Sequence, residues 1–153
     1  SKLKEQNISY DNLNTTPTIL NAMLWAGIAY DDDSLSVAEY SWLNREVPIK
    51  WSRYARHKEL ANRFPSEAMD VSLWFSDGQH FFEENGDTLR LYMTKFGRMN
   101  FDEEEAEKAF MFYSNFYKDQ SGNVKYHQKT PKDTEFDFSK AFKQLTDRIG
   151  ITD

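Results

Sequence analysis

The stretch Ile19–Tyr30 constrains the fold of this chain more than any other. It is apolar at every position except Asn21. A segment apolar on all sides must be buried on all sides. Thr16 and Pro17 stand just before it, a capping side chain followed by the residue best suited to a first helical turn. This combination predicts a central, fully buried helix. The run falls short of the roughly 18 residues a membrane span needs, so it reads as a core element.

The remaining punctuation extends the helical reading. Asp31, Asp32 and Asp33 place negative charge ahead of Ser34, a second capping residue, and predict a helix over 35–46. Val47-Pro48 breaks it, because the residue before proline avoids helical geometry. Another helix is expected from Ile49 to Arg63, ending before Pro65.

The stretch 66–100 offers a choice. Asp77-Gly78 and Asn85-Gly86 are both good two-residue hairpin turns and would make a three-stranded meander over 71–96. Periodicity favours helices. Ala68, Val71, Trp74, Phe75, Gly78, Phe81 and Phe82 share an arc of about 140° at roughly 100° per residue. Asp70, Ser72, Ser76, His80, Glu83 and Glu84 fill the opposite side. Phe81-Phe82 would break the alternation of a strand. A mid-helix Gly78, costing about 1 kcal/mol against alanine, is the main argument against the helical choice. A next helix starts at Asp87, with Leu89, Tyr92, Met93 and Phe96 at helical spacing.

Asp102 with Glu105 has the spacing of a capping box and opens a helix to Lys118, with Ala106, Phe110, Tyr113 and Tyr117 on its apolar face. In 119–137, Val124, Tyr126 and Gln128 alternate, as do Thr134, Phe136 and Phe138. This pattern suggests a small hairpin near 123–138 turning at Thr130–Asp133. A last helix over 139–149 stops at Gly150. The expectation is therefore a mainly α protein, a bundle of six or seven helices over 16–153 behind a loose polar arm at 1–15. The alternative is an α+β domain containing the 71–96 meander.

Composition narrows the function classes. With 153 residues the chain can build one core without staples. It has no cysteine, which rules out disulfides, thiolate metal sites and a cysteine nucleophile. Twelve Phe, eight Tyr and four Trp supply apolar area that the hydrophilic average conceals. The polar start, Ser1 to Asn14, does not resemble a signal peptide, and a cytoplasmic protein is expected. Asn7 and Asn14 head glycosylation sequons, patterns short enough to arise by chance.

The net charge of −6 hides an asymmetry. Residues 45–63 carry +4 and the rest −10. Arg45, Lys50, Arg53, Arg56, Lys58 and Arg63 would spread along one helix with Trp51, Tyr54 and His57 beside them. Basic groups interleaved with aromatics can hold phosphates and stack bases. The competing reading is that these cations pair with the chain's own carboxylates, Asp31–Asp33 among them.

Other constellations are weaker. His80, Glu83, Glu84 and Asp87 would share one side of a helix, where imidazole and carboxylate can bind a metal or act as acid and base. No second His-carboxylate pair stands at helical spacing to complete such a site. Asp31–Asp33 with Glu39 offer oxygens to a hard cation, but adjacent aspartates do not converge on one point. Asp119–Val124 echoes the middle of an EF-hand loop, yet Tyr117 and Gln128 stand where carboxylates are needed. His57 and His127 have no neighbour that suggests a triad, and no glycine-rich phosphate loop occurs.

These observations weigh against an enzyme and point to no cofactor. The expected function is a non-catalytic protein-binding domain of inhibitor, immunity or assembly type. Trp51, Arg53, Tyr54, Arg56, His57 and Arg63 are its candidate binding residues and another protein is its partner, with no membrane role. One alternative is nucleic-acid or phosphate binding through 45–63. The other is a metal-dependent enzyme around His80, Glu83 and Glu84. The oligomeric state is left open.

Overall fold

The structure is a computed structural model that describes residues 2–18, 21–41, 46, 48–98 and 110–129. Its architecture is β, not a helical bundle. The strands are β1 (Asn12–Thr18), β2 (Asn21–Tyr30), β3 (Ser34–Ser41), β4 (Ser52–Ala55), β5 (His80–Asn85), β6 (Thr88–Arg98), β7 (Phe110–Lys118) and β8 (Val124–Lys129). They form two four-stranded antiparallel meanders, β1-β2-β3-β4 and β5-β6-β7-β8. Helices are short: α1 (Lys2–Glu5), α2 (Glu67–Ser76) and a 3-10 turn at Lys58–Arg63.

The expected central helix is β2. Its register pairs Ile28 with Val37 and Tyr30 with Leu35 on one face, and Trp25 with Tyr40 and Gly27 with Ala38 on the other. Ile28, Leu35 and Val37 pack against Phe81, Tyr92 and Phe110 of the second sheet. The opposite face meets Leu3, Ile49 and Trp51, which line a recess there together with Trp25, Gly27 and Tyr40. A strand with apolar neighbours on both faces loses its alternation, which is why the run mimicked a buried helix. The expected 35–46 helix is corrected to β3 for the same reason, since Ser34 to Glu39 are all buried.

The other helical expectations are corrected in kind. The basic stretch forms no long helix; β4 pairs with β3 and the 3-10 turn follows it. The helix expected to carry the Ala68–Phe82 arc exists only as α2. Asp77 ends it in a left-handed conformation (φ 50°), and Gly78 (φ 75°) redirects the chain into β5. The Asn85-Gly86 signal is a hairpin: Asn85 pairs with Thr88, and Gly86 has φ 59°. The helix expected after Asp87, through Leu89, Tyr92, Met93 and Phe96, is β6, and Phe110–Lys118 of the expected 102–118 helix is β7. The alternative meander over 71–96 was right about the β5–β6 hairpin and wrong about 71–76. Val124–Lys129 is a strand, but its hairpin turns back on β7 at Asp119–Asn123. There Asp119 Oδ1 accepts from the Ser121 and Asn123 amides, each at 2.9 Å. These bonds hold its carboxyl below the usual range and account locally for the EF-hand echo. The Thr130–Asp133 turn and the 139–149 helix lie outside the described residues. Within the expected arm, α1 and the first residues of β1 are ordered elements.

Two cores result. One lies between the sheets and is aromatic. Tyr54, Phe81 and Tyr92 stack with centroids 4.4 and 4.7 Å apart, and Phe110 meets all three edge-on. The other lies between the second sheet and α2, with Phe64, Met69, Phe82, Leu89, Leu91, Met93 and Phe116. Arg56 joins the sheets. Its amide donates to the Asp33 carbonyl at 2.9 Å, and its own carbonyl accepts from the Phe82 amide at 3.0 Å.

Candidate functional site

The expected binding residues do not form one basic surface. Arg56 is buried and donates to three backbone carbonyls, Asp31 at 2.7 Å, Gly78 at 2.5 Å and His80 at 3.2 Å, with Tyr30 beneath it. Burial lowers its pKa, and Tyr30, Asp32 and Asp31 oppose that. Lys58 is held by Asp32 at 2.7 Å, and Arg63 pairs with Glu84. Arg53 donates to the Ser34 hydroxyl at 3.1 Å. Tyr54 belongs to the aromatic stack, and Trp51 lies against Gly27.

Some of these residues do meet. Arg53, Tyr54 and His57 share a cleft of about 550 Å³ with Glu59, Glu83 and Glu84. Both charge signs line it, and exposed His57 and Glu59 face each other at 3.5 Å. A cleft that carries its own counter-charges offers little to a phosphate.

The proposed metal constellation comes apart because a strand replaces the helix. His80 and Glu84 fall on one face of β5 and Glu83 on the other, while Asp87 sits in the hairpin turn. Among the described residues no group of three His, Asp or Glu is placed to hold a metal. His80 is buried, and its Nδ1 lies 2.7 Å from the Ser76 hydroxyl. That hydroxyl already donates to the Leu73 carbonyl at 2.7 Å, so it accepts from an imidazole protonated at Nδ1. Burial, reinforced by Arg56 and Lys58, pushes the His80 pKa down to about 4. The ring is neutral at physiological pH.

The feature missed by sequence is the outer face of α2. Ser66 caps the helix, its hydroxyl accepting from the Met69 amide at 3.2 Å. The helix buries Met69, Ser72 and Ser76, and leaves Val71 56% and Trp74 80% exposed. Phe75 is anchored edge-on against Phe112, with its ring 5.7 Å from Phe96. Val71, Trp74 and Phe75 stand at i, i+3 and i+4 and form one apolar patch. Exposed Glu67, Asp70 and Asp77 frame it, and α2 contains no Lys or Arg. Of the arc the periodicity marked, only Val71, Trp74 and Phe75 share a helical face, and that face is turned outwards; Ala68 packs on the core and Phe81 and Phe82 lie on β5. Serines at 72 and 76, small enough to pack closely and able to bond back to Ala68 and Leu73 carbonyls, were the available signal.

No family model, curated protein or solved structure matches this chain.

Proposed function

We propose that this chain is a non-catalytic protein-binding domain that docks through the outer face of α2. The observation that carries the reading is Trp74, four-fifths exposed at the centre of an apolar patch with an acidic border. Exposing a tryptophan on a rigid helix costs the free protein hydrophobic stabilisation, and buried aromatic anchors are what dominate binding energy in interfaces. The fitting partner is a protein with an apolar recess bordered by Lys or Arg. Complementary charge of this kind steers association and makes it salt-sensitive.

The test is comparative capture from native lysate with wild type, Trp74→Ala and Asp70→Lys at two salt concentrations. The expected result is a partner held by wild type, released by raised salt and lost by both variants. Loss of one anchor of this type weakens binding by roughly 30-fold or more. An identical set of partners for all three proteins would overturn the reading.

A further inference from the structure

The face of the second sheet that carries the aromatic layer continues beyond the buried rings. Its residues stand in rows fixed by strand register. Phe81, Tyr92, Tyr113 and Lys129 are successive partners across β5, β6, β7 and β8. The next row on the same face is Glu83, Arg90, Asn115 and His127, and beyond it Tyr117 pairs with Lys125. Phe81 and Tyr92 are buried in the core, Arg90 and Asn115 are half-buried, and His127 and Lys125 are exposed. The face thus opens to solvent from one row to the next, and Tyr117 at its end is 41% exposed.

Arg90 is fixed in this face by its neighbours. Its Nε donates to Asn115 Oδ1 at 2.8 Å, its Nη1 reaches the Tyr92 hydroxyl at 3.4 Å, and its guanidinium lies 4.5 Å from the centroid of the Tyr113 ring. The Lys129 ammonium lies 5.7 Å from the same centroid. Two cations therefore share one ring. Among the described residues no carboxylate forms an ion pair with either of them. Glu83 is the cross-strand neighbour of Arg90 on the β5 side, and Asp119 lies 3.7 Å from Lys125, which is thereby compensated. Like charges held together without a counter-ion repel, and an anion between Arg90 and Lys129 would relieve this. The bonds to Asn115 and Tyr92 leave the outer guanidinium N–H groups to meet it.

We propose that this face binds single-stranded nucleic acid, with a phosphate between Arg90 and Lys129 and bases stacked on His127 and Tyr117. Successive rows are two residues of strand apart, about 7 Å, a step that one unstacked nucleotide spans. The exposed rings select a single strand, because a duplex keeps its bases stacked on one another and offers none to a side chain. An open sheet surface also suits a chain that continues in both directions. An acidic peptide would satisfy the two cations but has no use for the open rings. The surface is separate from the α2 patch, since α2 packs through Met69 on the opposite face of the same sheet, against Leu89, Leu91 and Phe116.

Fluorescence polarisation of a labelled single strand of about twelve nucleotides, within the site sizes of single-strand binders, tests this on the purified protein. Saturable binding is expected at low salt. With Arg90 and Lys129 as the phosphate contacts, a roughly fourfold rise in salt should weaken it about sevenfold. Arg90→Gln and Lys129→Gln should each weaken binding and reduce the salt dependence by about half. Tyr117→Ala should weaken binding about fivefold or more and leave the salt dependence unchanged. It changes an exposed side chain and serves if Arg90→Gln fails to fold. Trp74→Ala, on the other side of the sheet, should bind the strand as wild type does. The proposal is overturned if the strand does not bind at low salt, or if the Lys129 and Tyr117 variants bind it unchanged. It is also overturned if a duplex of the same sequence or polyglutamate binds as tightly, or if Trp74→Ala abolishes binding.

Discussion

Arg98 and Glu39 form a buried ion pair. Arg98 donates through Nε and Nη2 to the two Glu39 oxygens at 2.6 and 2.5 Å, and through Nη1 to the Ser52 hydroxyl at 2.9 Å. Burial opposes the charge on Arg98, but the paired carboxylate wins and raises its pKa. Removing one partner strands the other without water. Arg98→Ala is therefore expected to cost about 3–5 kcal/mol in urea unfolding, while Arg98→Met with Glu39→Met together should lie near wild type. His80 gives a pH prediction. Its folded pKa of about 4 is below the ordinary 6.5, so between these values the unfolded chain binds a proton that the native state refuses. Stability is thus retained above pH 6.5 and falls as pH drops towards 4, by on the order of 3 kcal/mol over the window. Urea midpoints measured from pH 7 to 4 should show this slope, and His80→Asn should flatten it. Neither role was legible in the sequence. Glu39 and Arg98 are far apart in the chain, and nothing local marks a charge that another strand will bury.

At the scale of elements, α2 has its apolar arc turned outwards. Two stability measurements separate its cap from its exposed face. Ser66→Ala should cost about 1 kcal/mol, because the Met69 amide loses its acceptor. Trp74→Ala should change stability by less than about 0.5 kcal/mol, as expected for a side chain that packs on little. A large loss from Trp74→Ala in thermal or urea melts would show that this face supports the fold and is not free for a partner. The elements also show where sequence patterns fail. Turn chemistry at Asn85-Gly86 pointed to the hairpin that forms, with φ 59° at Gly86, but helical periodicity outweighed it in the reading of 66–100. The alternating pattern at Val124–Gln128 did fall on a strand, although its burial does not alternate: Lys125, Tyr126 and His127 are all exposed. Alternation was not legible at β2 and β3, which carry apolar residues on both faces.

At the largest scale, the described residues form two meanders with an aromatic layer between them and a helix over one outer face. Phe81 is the hub of that layer, stacked between Tyr54 of the first sheet and Tyr92 of the second. Phe81→Ala removes the ring that touches both and is expected to cost about 3–5 kcal/mol in equilibrium unfolding. The same layer explains why the basic stretch is not a basic surface. Tyr54 turns inwards to the stack, Arg56 turns inwards to the carbonyls that join the sheets, and Lys58 and Arg63 reach the carboxylates that this closure brings near. By itself the sequence determined the absence of cysteine chemistry and the acidic balance, and it offered the turn at Asn85-Gly86 only as the lesser alternative. These depend on side-chain identity or on the conformational preference of one or two residues. Only the tertiary structure decided that Ile19–Tyr30 contributes a strand, which face of α2 meets the core, and which cations are already neutralised. Each of those is settled by what lies across a sheet interface, and a pattern along the chain cannot encode a neighbour that arrives from another strand.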